Sequence, residues 1–329
     1  MDNILVTGAT GFIGNHLAKR LAEEGNLVHG LYRNENKKQL LTHPNIKPVK
    51  GHLLDIKSLE RAMDGCNQVF HVAAFAKAWA KDKKTIYHLN VNATENLLKI
   101  ALKKNIQRFV FTSTAGIYGP SIHGITREDS PPSMDYFTAY EHSKAKTENL
   151  IQEYLEKGLD VVVVNPSRVY GPGQLSESNA VTKMIDLYIR GKWRILPGNG
   201  KSKGNYVYID DVVEGHVMAM RKGERGEKYL LAGENVSYKT FFDTVAKIHG
   251  KKYRLVKLPL PLMLFIARFM MLITKVTGIP PVIIPPLVRK FNYNWEITNE
   301  KASSQLGITF QSVEEGIKKT YHWLTHKKR

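Results

Sequence analysis

A tyrosine and a lysine within residues 140–144 have the types and spacing needed for proton chemistry. On a helix, residues four positions apart lie on one face, so Tyr140 and Lys144 would present a phenol beside an ammonium. A free tyrosine titrates at about pH 10 and is a poor acid or base at neutrality. An adjacent cation favours the phenolate, so we expect Lys144 to lower the pKa of Tyr140. The same spacing is common on solvated helix surfaces, so other motifs must decide its meaning.

Three glycines near the start of the chain predict a dinucleotide site. They lie at positions 8, 11 and 14, between an apolar strand at residues 4–6 and a periodic helix. This spacing allows a tight turn and a close approach of the backbone to a pyrophosphate, which then sits at a helix N-terminus. The cofactor contacts expected from this segment are Gly8, Thr10, Gly11, Phe12, Ile13 and Gly14.

The residue after the second predicted strand, residues 27–32, favours NADP over NAD. An NAD site usually offers a carboxylate to the ribose 2′-hydroxyl about twenty residues beyond the glycines. Here Arg33 occupies that place, and Lys37 and Lys38 follow closely. A guanidinium suits a 2′-phosphate. NAD is the alternative, if Arg33 points to solvent and Glu35 or a backbone group contacts the ribose.

Alternating strand and helix signals predict an α/β fold with a doubly wound parallel sheet of the Rossmann type. Further strands are expected at 46–49, 68–74, 108–113 and 160–165, and helices at 56–63, 84–104 and 140–157. Ligands of such sheets lie at the carboxyl ends of the strands. We predict a dinucleotide-binding domain over 1–173, with a return at 206–232, and a substrate-binding region over 174–205 and 233–329.

Composition and charge limit the classes of partner. A chain of 329 residues with 43% hydrophobic content can bury a large core, and 48 Lys and Arg against 30 Asp and Glu give a net charge of +18. That charge suits nucleic acid, an anionic membrane or a phosphorylated ligand. No nucleic-acid motif accompanies it, so no nucleic-acid partner is predicted. The single Cys66 and the lack of an apolar leader predict a cytoplasmic protein.

A proline-broken apolar stretch runs from residue 258 to 288, and residues 262–273 are apolar nearly all round. Twelve residues are too short to cross a bilayer core of about 30 Å. We expect a buried helix of the substrate region or a dimer surface. The alternative is peripheral membrane contact through residues 258–291, assisted by the positive charge and suited to a lipid-like substrate.

Seven ordered motifs lie at residues 7–14, 69–74, 90–98, 109–119, 140–144, 165–173 and 206–212. Together they resemble the extended short-chain dehydrogenase/reductase family, which includes sugar epimerases and dehydratases. His71-Val72-Ala73-Ala74 and the closing Leu306-Gly307-Ile308 most resemble its dihydroflavonol-reductase-like and 3β-hydroxysteroid-dehydrogenase-like branch. The resemblance covers nearly the whole chain.

The resemblance implies a catalytic set. Thr114 would hold the substrate oxygen while Tyr140 transfers the proton, and Lys144 would bind the nicotinamide ribose and bias Tyr140. Ser113 competes with Thr114, but neighbouring strand residues face opposite sides, which favours Thr114. Asn90 would help to position the catalytic helix and the proton relay, unless it is an ordinary polar helix residue.

The resemblance also extends the cofactor site to the strand ends. Its further members are His52, Leu53, Ala73, Ala74, Thr112, Pro166 and Val169. The family often has Gly-Asp-Leu where this chain has Gly51-His52-Leu53, and the aspartate there contacts the adenine amino group. A neutral His52 could accept one hydrogen bond instead, so cofactor affinity can differ. Asp55 is expected to cap the next helix.

The expected function is hydride transfer between NADP or NAD and a small carbonyl or alcohol, with Tyr140 as general acid or base. The alternatives are an NAD-dependent nucleotide-sugar epimerase or dehydratase and a non-catalytic binding protein. A homodimer through two helices of the sheet domain is common in the family. No cluster has metal-ligand spacing, and His71 is expected in the core. The aromatic residues that either line a substrate pocket or pack structurally are Phe75, Trp79, Tyr136 and Tyr170.

Overall fold

The computed structural model describes residues 1–326; residues 327–329, the end of the predicted substrate-binding region, lie outside the described residues. The strands formed in the described part of the chain are β1 Asn3–Thr7, β2 Leu27–Tyr32, β3 Ile46–Lys50, β4 Gln68–His71, β5 Arg108–Thr112, β6 Val161–Pro166, β7 Arg168–Tyr170, β8 Ile195–Pro197, β9 Lys203–Tyr208, β10 Lys228–Leu231, β11 Glu234–Ser237 and β12 Val256–Leu258. The α-helices are α1 Phe12–Glu23, α2 Ile56–Met63, α3 Lys84–Tyr87, α4 Ala93–Lys103, α5 Ala139–Glu156, α6 Ala180–Ile189, α7 Ile209–Lys222, α8 Tyr238–His249, α9 Leu260–Thr277, α10 Pro285–Lys290, α11 Glu300–Leu306 and α12 Val313–His326.

Seven parallel strands form the central sheet in the order β3-β2-β1-β4-β5-β6-β10. Strand β6, with the sequence VVVVNP, is buried along its whole length, as expected for a strand covered on both faces. Pro48 lies in β3 at the edge of the sheet, where a missing N–H group is tolerated. The predicted doubly wound α/β fold is confirmed.

Helices cover both faces of this sheet. Helices α1 and α7 pack together on one face, and α2, α4 and α5 pack in a row on the other. Each face has its own hydrophobic core; Leu17 and Val212 belong to the first, and Leu98 and Ile151 to the second. These two layers fix the carboxyl edge of the sheet, where β1, β4, β5 and β6 end.

Two smaller sheets lie beyond the central one. One has the order β11-β9-β7, and the other pairs β12 with β8. The segment 206–232 therefore divides: β9 belongs to the smaller sheet, α7 covers the central sheet, and β10 pairs with β6 in parallel.

The helix predicted at 84–104 contains an irregular turn. Helix α3 passes into a π-helical turn, His88–Asn92, before α4 begins. Such turns carry one extra residue and often occur at functional sites. Strand β4 ends at His71, so Ala73 and Ala74 lie in the following loop rather than in the strand.

Helix α9 is the main departure from expectation. It is 18 residues long and buries only Met263, Ala267 and Thr274. Phe265 and Phe269 on its other side are 67% and 56% exposed. The expectation of a buried helix is wrong, because among residues 1–326 only one narrow side of α9 finds apolar partners.

Candidate active site

The glycine-rich loop brings the backbone of β1 close to the start of α1. Gly8 has φ +72°, and a Cβ atom there would lie 2.8 Å from the Ala73 nitrogen. A Cβ atom on Gly14 would lie 2.3 Å from the Gly8 oxygen. Both positions therefore require glycine, and they leave the N-terminus of α1 open to an anionic group.

A cavity of about 220 Å³ lies at this N-terminus and is lined by Gly11, Phe12, Asn15, His16 and Gly173, among others. The glycine cradle, the helix N-terminus and the adjoining cavity fit the pyrophosphate and an adjacent part of a dinucleotide. Gln174 closes one side by donating from Nε2 to the Thr10 oxygen at 2.9 Å. Phe12 is buried at the start of α1, and Ile13 is partly buried.

A larger cavity, about 470 Å³, is lined by Arg127, Glu128, Glu227 and Lys301, among others. None of the predicted catalytic or cofactor residues lines it. The chemistry of the lining groups therefore favours the smaller cavity as the cofactor site.

Arg33, which directly follows β2, is available to bind a ligand. Arg33 is exposed, and within the described residues it forms no hydrogen bond or ion pair. Its competitor Glu35 accepts a hydrogen bond from the Tyr32 hydroxyl at 3.3 Å and pairs with Lys50 at 2.7 Å. The carboxylate that could serve an NAD ribose is thus engaged elsewhere, whereas the guanidinium is not.

The loop after β3 carries His52 and Leu53, the residues predicted to contact adenine. His52 Nδ1 accepts a hydrogen bond from the Leu54 nitrogen, so in the neutral ring Nε2 carries the proton and can only donate, which does not match the expected acceptor for the adenine amino group. Leu53 is partly buried beside it. Asp55 caps α2 by accepting from the Ser58 nitrogen at 3.4 Å, as predicted.

Helix α5 begins at a capping box and presents Tyr140 in its first turn. Thr138 accepts from the Glu141 nitrogen, and the Glu141 carboxylate accepts from the Thr138 nitrogen. The Tyr140 hydroxyl is bonded to no group in the described part of the chain, and the residue is partly exposed. Its proton is therefore available to a ligand.

The pKa of Tyr140 moves in the direction opposite to expectation. Burial raises the pKa of Tyr140, and the neighbouring Glu141 carboxylate raises it further. The expectation that Lys144 lowers this pKa is wrong in this structure, because Lys144 directs its ammonium to a backbone carbonyl. The phenol is protonated at neutral pH and is poised as an acid.

Lys144 lies in a closed environment on the same face of α5. Its Nζ donates to the Thr112 oxygen at 2.7 Å and lies 4.4 Å from the centroid of the Phe111 ring. Burial lowers the pKa of Lys144 to about 7, while the Glu148 carboxylate opposes the shift. The Thr112 hydroxyl bonds His216 Nε2 at 2.8 Å, so only its backbone faces Lys144.

Glu148 is a member of this face that sequence reasoning missed. Tyr140, Lys144 and Glu148 follow one another at four-residue spacing, and this third step was the available signal. Glu148 accepts from Asn165 Nδ2 at 2.7 Å and pairs with Lys228 at 2.6 Å. The carboxylate thereby ties α5 to β6 and β10.

Thr114 brings a hydroxyl to the first turn of α5. Its Oγ1 accepts from the Gly116 nitrogen at 3.2 Å. A Cβ atom on Gly116 would lie 3.4 Å from that oxygen and 3.3 Å from Glu141 Cγ, so the end of β5 and the start of α5 are neighbours. Ser113 is buried, and its hydroxyl has no hydrogen-bond partner among residues 1–326. The partly exposed hydroxyl is that of Thr114.

Asn90 lies in the π-helical turn and joins two segments near the site. Its Oδ1 accepts from the Phe75 nitrogen at 2.7 Å, and its Nδ2 donates to Ser143 Oγ at 2.8 Å. The Asn90 backbone oxygen accepts from the Thr94 and Thr147 hydroxyls. Asn90 therefore holds the loop after β4 against α5, and its contacts do not include Tyr140 or Lys144.

His71 is a core residue, as expected. Its ring nitrogens contact Thr7 Oγ1 at 2.7 Å and Thr94 Oγ1 at 2.8 Å. Burial lowers the pKa of His71 to about 3, and the Lys144 charge acts in the same direction. The imidazole is neutral and links β1 to α4. Within the described residues no group of three or more His, Cys, Asp or Glu side chains could hold a metal ion.

The four candidate substrate aromatics divide between loop and core. Phe75 and Trp79 are partly exposed in the loop after β4, and Tyr136 stacks on His142 with ring centroids 5.4 Å apart. Tyr170 is 1% exposed and packs against Tyr208. A pocket-lining role for Tyr170 is wrong, because its ring fills the core beneath the smaller sheet.

Pro166 ends β6, and Val169 lies in the short strand β7 that follows. Pro166 is buried, and Val169 is 9% exposed. Two cations nearby were not foreseen. Lys290 pairs with Glu141 and lies 5.0 Å from the Trp295 ring, and burial lowers the pKa of Lys290. Arg168 Nη1 donates to the Tyr238 hydroxyl at 2.6 Å.

The separation in sequence explains why these contacts could not be predicted. Lys290 and Glu141 are 149 residues apart, so no local pattern relates them. Their pairing places α10 against the first turn of α5. The aromatic rings around Lys290, those of Phe137 and Trp295, lie 5.8 Å apart and form one side of this region.

The NAD dependent epimerase/dehydratase family matches residues 4–232. The chain belongs to this family. It is accordingly an NAD(P)-dependent enzyme of the extended short-chain dehydrogenase/reductase type, as the motifs predicted. The match spans the glycine-rich loop, Thr114, Tyr140 and Lys144.

Individual relatives cover nearly the whole chain. A Synechocystis sp. protein named provisionally as a dihydroflavonol 4-reductase is 30% identical, over 98% of this chain and 94% of its own. The sterol-4-alpha-carboxylate 3-dehydrogenase, decarboxylating, of Dictyostelium discoideum is 28% identical, over 94% of this chain and 96% of its own. Among solved structures, the fold is similar to that of Thermotoga maritima UDP-glucose 4-epimerase crystallised with UDP-glucose. The TM-score is 0.81, the sequences are 26% identical, and 98% of each chain is covered.

Proposed function

We propose that this enzyme is an NADP-dependent oxidoreductase that interconverts a carbonyl and an alcohol, with Tyr140 as the proton donor and acceptor. The observation that carries the proposal is the unbonded, protonated phenol of Tyr140 in the first turn of α5, where the Thr114 strand end meets that helix. An acid with a free proton, on a helix turn that adjoins the segment of a second hydroxyl, suits the reduction of a carbonyl.

The residues of this chain would divide the work as follows. Gly8, Gly14 and the N-terminus of α1 would hold the pyrophosphate, and Arg33 would contact the 2′-phosphate. The bound nicotinamide supplies or accepts the hydride. Thr114 would orient the substrate oxygen, and Tyr140 would donate its proton as negative charge develops there.

Lys144 would assist the proton transfer at Tyr140 from its position on the same face of α5. With a pKa of about 7, it exchanges its own proton readily at neutral pH. Because its ammonium is held at the Thr112 oxygen, Lys144 would take part by holding and releasing a proton on the same face of α5 and not by shifting the pKa of Tyr140. The reverse reaction would use the same groups, with Tyr140 as base.

We propose an apolar ring ketone or secondary alcohol as the substrate. The names of two full-length relatives refer to a dihydroflavonol and a sterol carboxylate, both of which are multi-ring compounds. The partly exposed ring of Phe137, next to the Lys290–Glu141 pair, supports this class of substrate because flat apolar rings stack on aromatic side chains.

A nucleotide-sugar epimerase or dehydratase is the second candidate. The likeness to the UDP-glucose 4-epimerase structure favours it, because that protein has the same fold over nearly its whole length. Arg33 argues against it. Epimerases of this kind commonly retain NAD, whereas the free guanidinium at the end of β2 suits a 2′-phosphate.

Replacement of Tyr140 by phenylalanine tests the chemistry. NADPH oxidation would be followed with a panel of steroid and flavonoid ketones. We expect Tyr140→Phe to lower kcat about 100- to 10,000-fold while NADPH affinity changes little, because only the proton donor is removed. Tyr154→Phe, at the other end of α5, is the control and should keep its activity. Full activity in Tyr140→Phe would assign the proton transfer to another group.

Calorimetric titration with NADP+ and NAD+ tests the cofactor. Loss of a charge-assisted contact in Arg33→Ala should cost about 1.5 to 3 kcal/mol of NADP+ binding, a factor of about 10 to 100, and leave NAD+ binding nearly unchanged. Lys57→Ala, on the exposed side of α2, is the control. Tighter binding of NAD+, together with thermal stabilisation by UDP-glucose, would move the epimerase to first place.

A further inference from the structure

Helix α9 carries an apolar stripe that is exposed in the described part of the chain. The stripe comprises Phe265, Ile266, Phe269, Leu272, Ile273 and Val276, all of them exposed. Their spacing places them on one side of the helix, across roughly a third of its circumference. The buried residues Met263, Ala267 and Thr274 lie on the opposite side. The apolar surface continues beyond the helix at Ile279 and Val282, which are 65% and 88% exposed.

The charge around this stripe is of one sign. Residues 251–290 contain eight Lys and Arg and no Asp or Glu. Arg268 and Lys275, seven residues apart, lie along one edge of the stripe, and both are exposed. An apolar helix face with basic flanks is the pattern of a helix that lies in the interface of an anionic bilayer.

We propose that α9 docks this enzyme on the surface of a membrane that contains anionic lipid. The apolar stripe would enter the boundary between headgroups and acyl chains, and Arg268 and Lys275 would contact lipid phosphates. Burial of the apolar stripe and attraction of the cations to lipid would both favour binding, because the stripe and the cations share one side of the molecule.

The charge pattern argues against a second copy of the chain on this surface. A two-fold contact would bring the same patch from both copies together. Arg268 and Lys275 would then lie in a contact between two patches that carry the same positive charges, and residues 251–290 hold no carboxylate to pair with them. An anionic surface has the complementary charge.

The position of α10 argues against a helix that crosses the bilayer. Helix α9 is long and apolar enough for a span by length and composition. However, the chain turns back through residues 278–284, and Val288 of α10 packs on Met263 and Ala267 of α9. A spanning orientation would have to break this contact, whereas a helix lying in the interface keeps it.

The docking surface is connected to the active site through α10. Lys290 at the end of α10 pairs with Glu141, the neighbour of Tyr140 in the first turn of α5. A bilayer at α9 would thus lie one helix away from the proposed site. Delivery of an apolar substrate from that bilayer rests on the proposed function; the docking itself does not.

Vesicle co-sedimentation of the full chain tests the docking. The wild type should sediment with vesicles of phosphatidylcholine and phosphatidylglycerol and much less with phosphatidylcholine alone, and salt should weaken the binding. Phe265→Asn/Phe269→Asn should lower partitioning by about tenfold for each phenylalanine. Arg268→Gln/Lys275→Gln should lower it by about fivefold for each charge, on the anionic vesicles only.

Matched controls use residues of the same types elsewhere on the surface. Ile122→Asn/Ile125→Asn replaces two exposed apolar residues, and Lys57→Gln/Lys146→Gln replaces two exposed lysines. Both variants should bind as the wild type does. All eight side chains replaced in the four double variants are exposed. Circular dichroism should therefore show that every variant is folded.

Three outcomes would overturn the proposal. The first is no binding to either kind of vesicle. The second is a dimer in sedimentation velocity that becomes a monomer in Phe265→Asn/Phe269→Asn, which would assign the stripe to a second copy. The third is binding that resists both salt and alkaline carbonate, which would assign α9 to a membrane span. The assay measures no turnover, so failure of the proposed catalytic function would leave it unaffected.

Discussion

At the scale of single residues, Thr114 and Ser113 offer two adjacent hydroxyls in unlike surroundings. We expect Thr114→Val to lower kcat by about 100-fold or more with ring ketones, because the substrate oxygen loses a hydrogen-bond donor. Thr114→Ser should recover most of the activity, since it keeps the hydroxyl and the cap on the Gly116 nitrogen. Steady-state kinetics of both variants measures this. Activity that survives in Thr114→Val would remove the hydroxyl from the mechanism.

Ser113→Ala is the matched comparison. Its hydroxyl is buried without a partner in the described part of the chain, so its removal should leave kcat nearly unchanged. The free energy of unfolding should rise by up to about 1–2 kcal/mol, because an unsatisfied buried polar group is removed. The choice between these two residues followed from strand alternation alone, but β5 ends at Thr112, so both residues lie beyond the strand and the choice stays a prediction.

Lys144 should give the stability of the protein a distinctive pH dependence. Its pKa is about 7 in the folded protein and about 10.4 in an unfolded chain, so between these values the unfolded state binds one more proton. Stability from this site therefore rises with pH through that range. Below about pH 7 the full cost of the buried charge is present.

Lys144→Met removes this ionisation. The free energy of unfolding of the variant should exceed that of the wild type most below about pH 7. This difference should fall by about 2–4 kcal/mol as the pH rises to about 10. Urea unfolding of both proteins at the two ends of this range measures the change. Lys146→Met, at an exposed position on the same helix, should show no such trend. A constant difference for Lys144→Met would mean that the pKa of Lys144 is not lowered by folding, so that Lys144 keeps its charge in the folded protein throughout this range.

At the scale of elements, the periodic parts of the chain were predictable and the tertiary contacts were not. Helix α2 has the predicted bounds, because an apolar period and the Asp55 cap are both local. The π-helical turn at Asn90 interrupts a helix whose period showed no break. The exposure of α9 depends on which elements surround it, and an apolar sequence alone cannot distinguish a core from a docking surface.

The glycine-rich loop allows a close test of backbone approach. Gly8 and Gly65 share φ +72°, but a Cβ atom on Gly8 would meet Ala73 whereas nothing lies within 4 Å of one on Gly65. Gly65→Ala should therefore lose only about 1–2 kcal/mol of stability from left-handed strain. Gly8→Ala should lose more and should also weaken NADP+ binding by at least about tenfold.

Urea unfolding and calorimetry of the two variants separate these effects. Equal losses of stability, with NADP+ binding intact in both, would show that the loop yields to a methyl group. That result would also remove the argument that the glycine cradle is closely fitted to a pyrophosphate.

At the scale of the whole molecule, the net charge of +18 acts together with the local contact at Arg33. NADP+ carries a 2′-phosphate that NAD+ lacks, so a positive surface attracts it more strongly at a distance. Raising the ionic strength from roughly 0.01 M to roughly 0.1 M shortens the Debye length from about 30 Å to about 10 Å. Salt then screens the attraction between the 2′-phosphate and distant surface charges, whereas the contact with Arg33 remains.

We therefore expect NADP+ affinity to fall more steeply with salt than NAD+ affinity, as measured by calorimetry at the two ionic strengths. In Arg33→Ala the preference for NADP+ should be small at the higher ionic strength and should return in part at the lower one, because the remaining basic surface still attracts the phosphate. Equal salt dependence for the two cofactors would mean that the scattered lysines contribute nothing to cofactor choice. The positive charge would then matter chiefly for the membrane docking that we propose, because residues 251–290 contain eight Lys and Arg and no carboxylate.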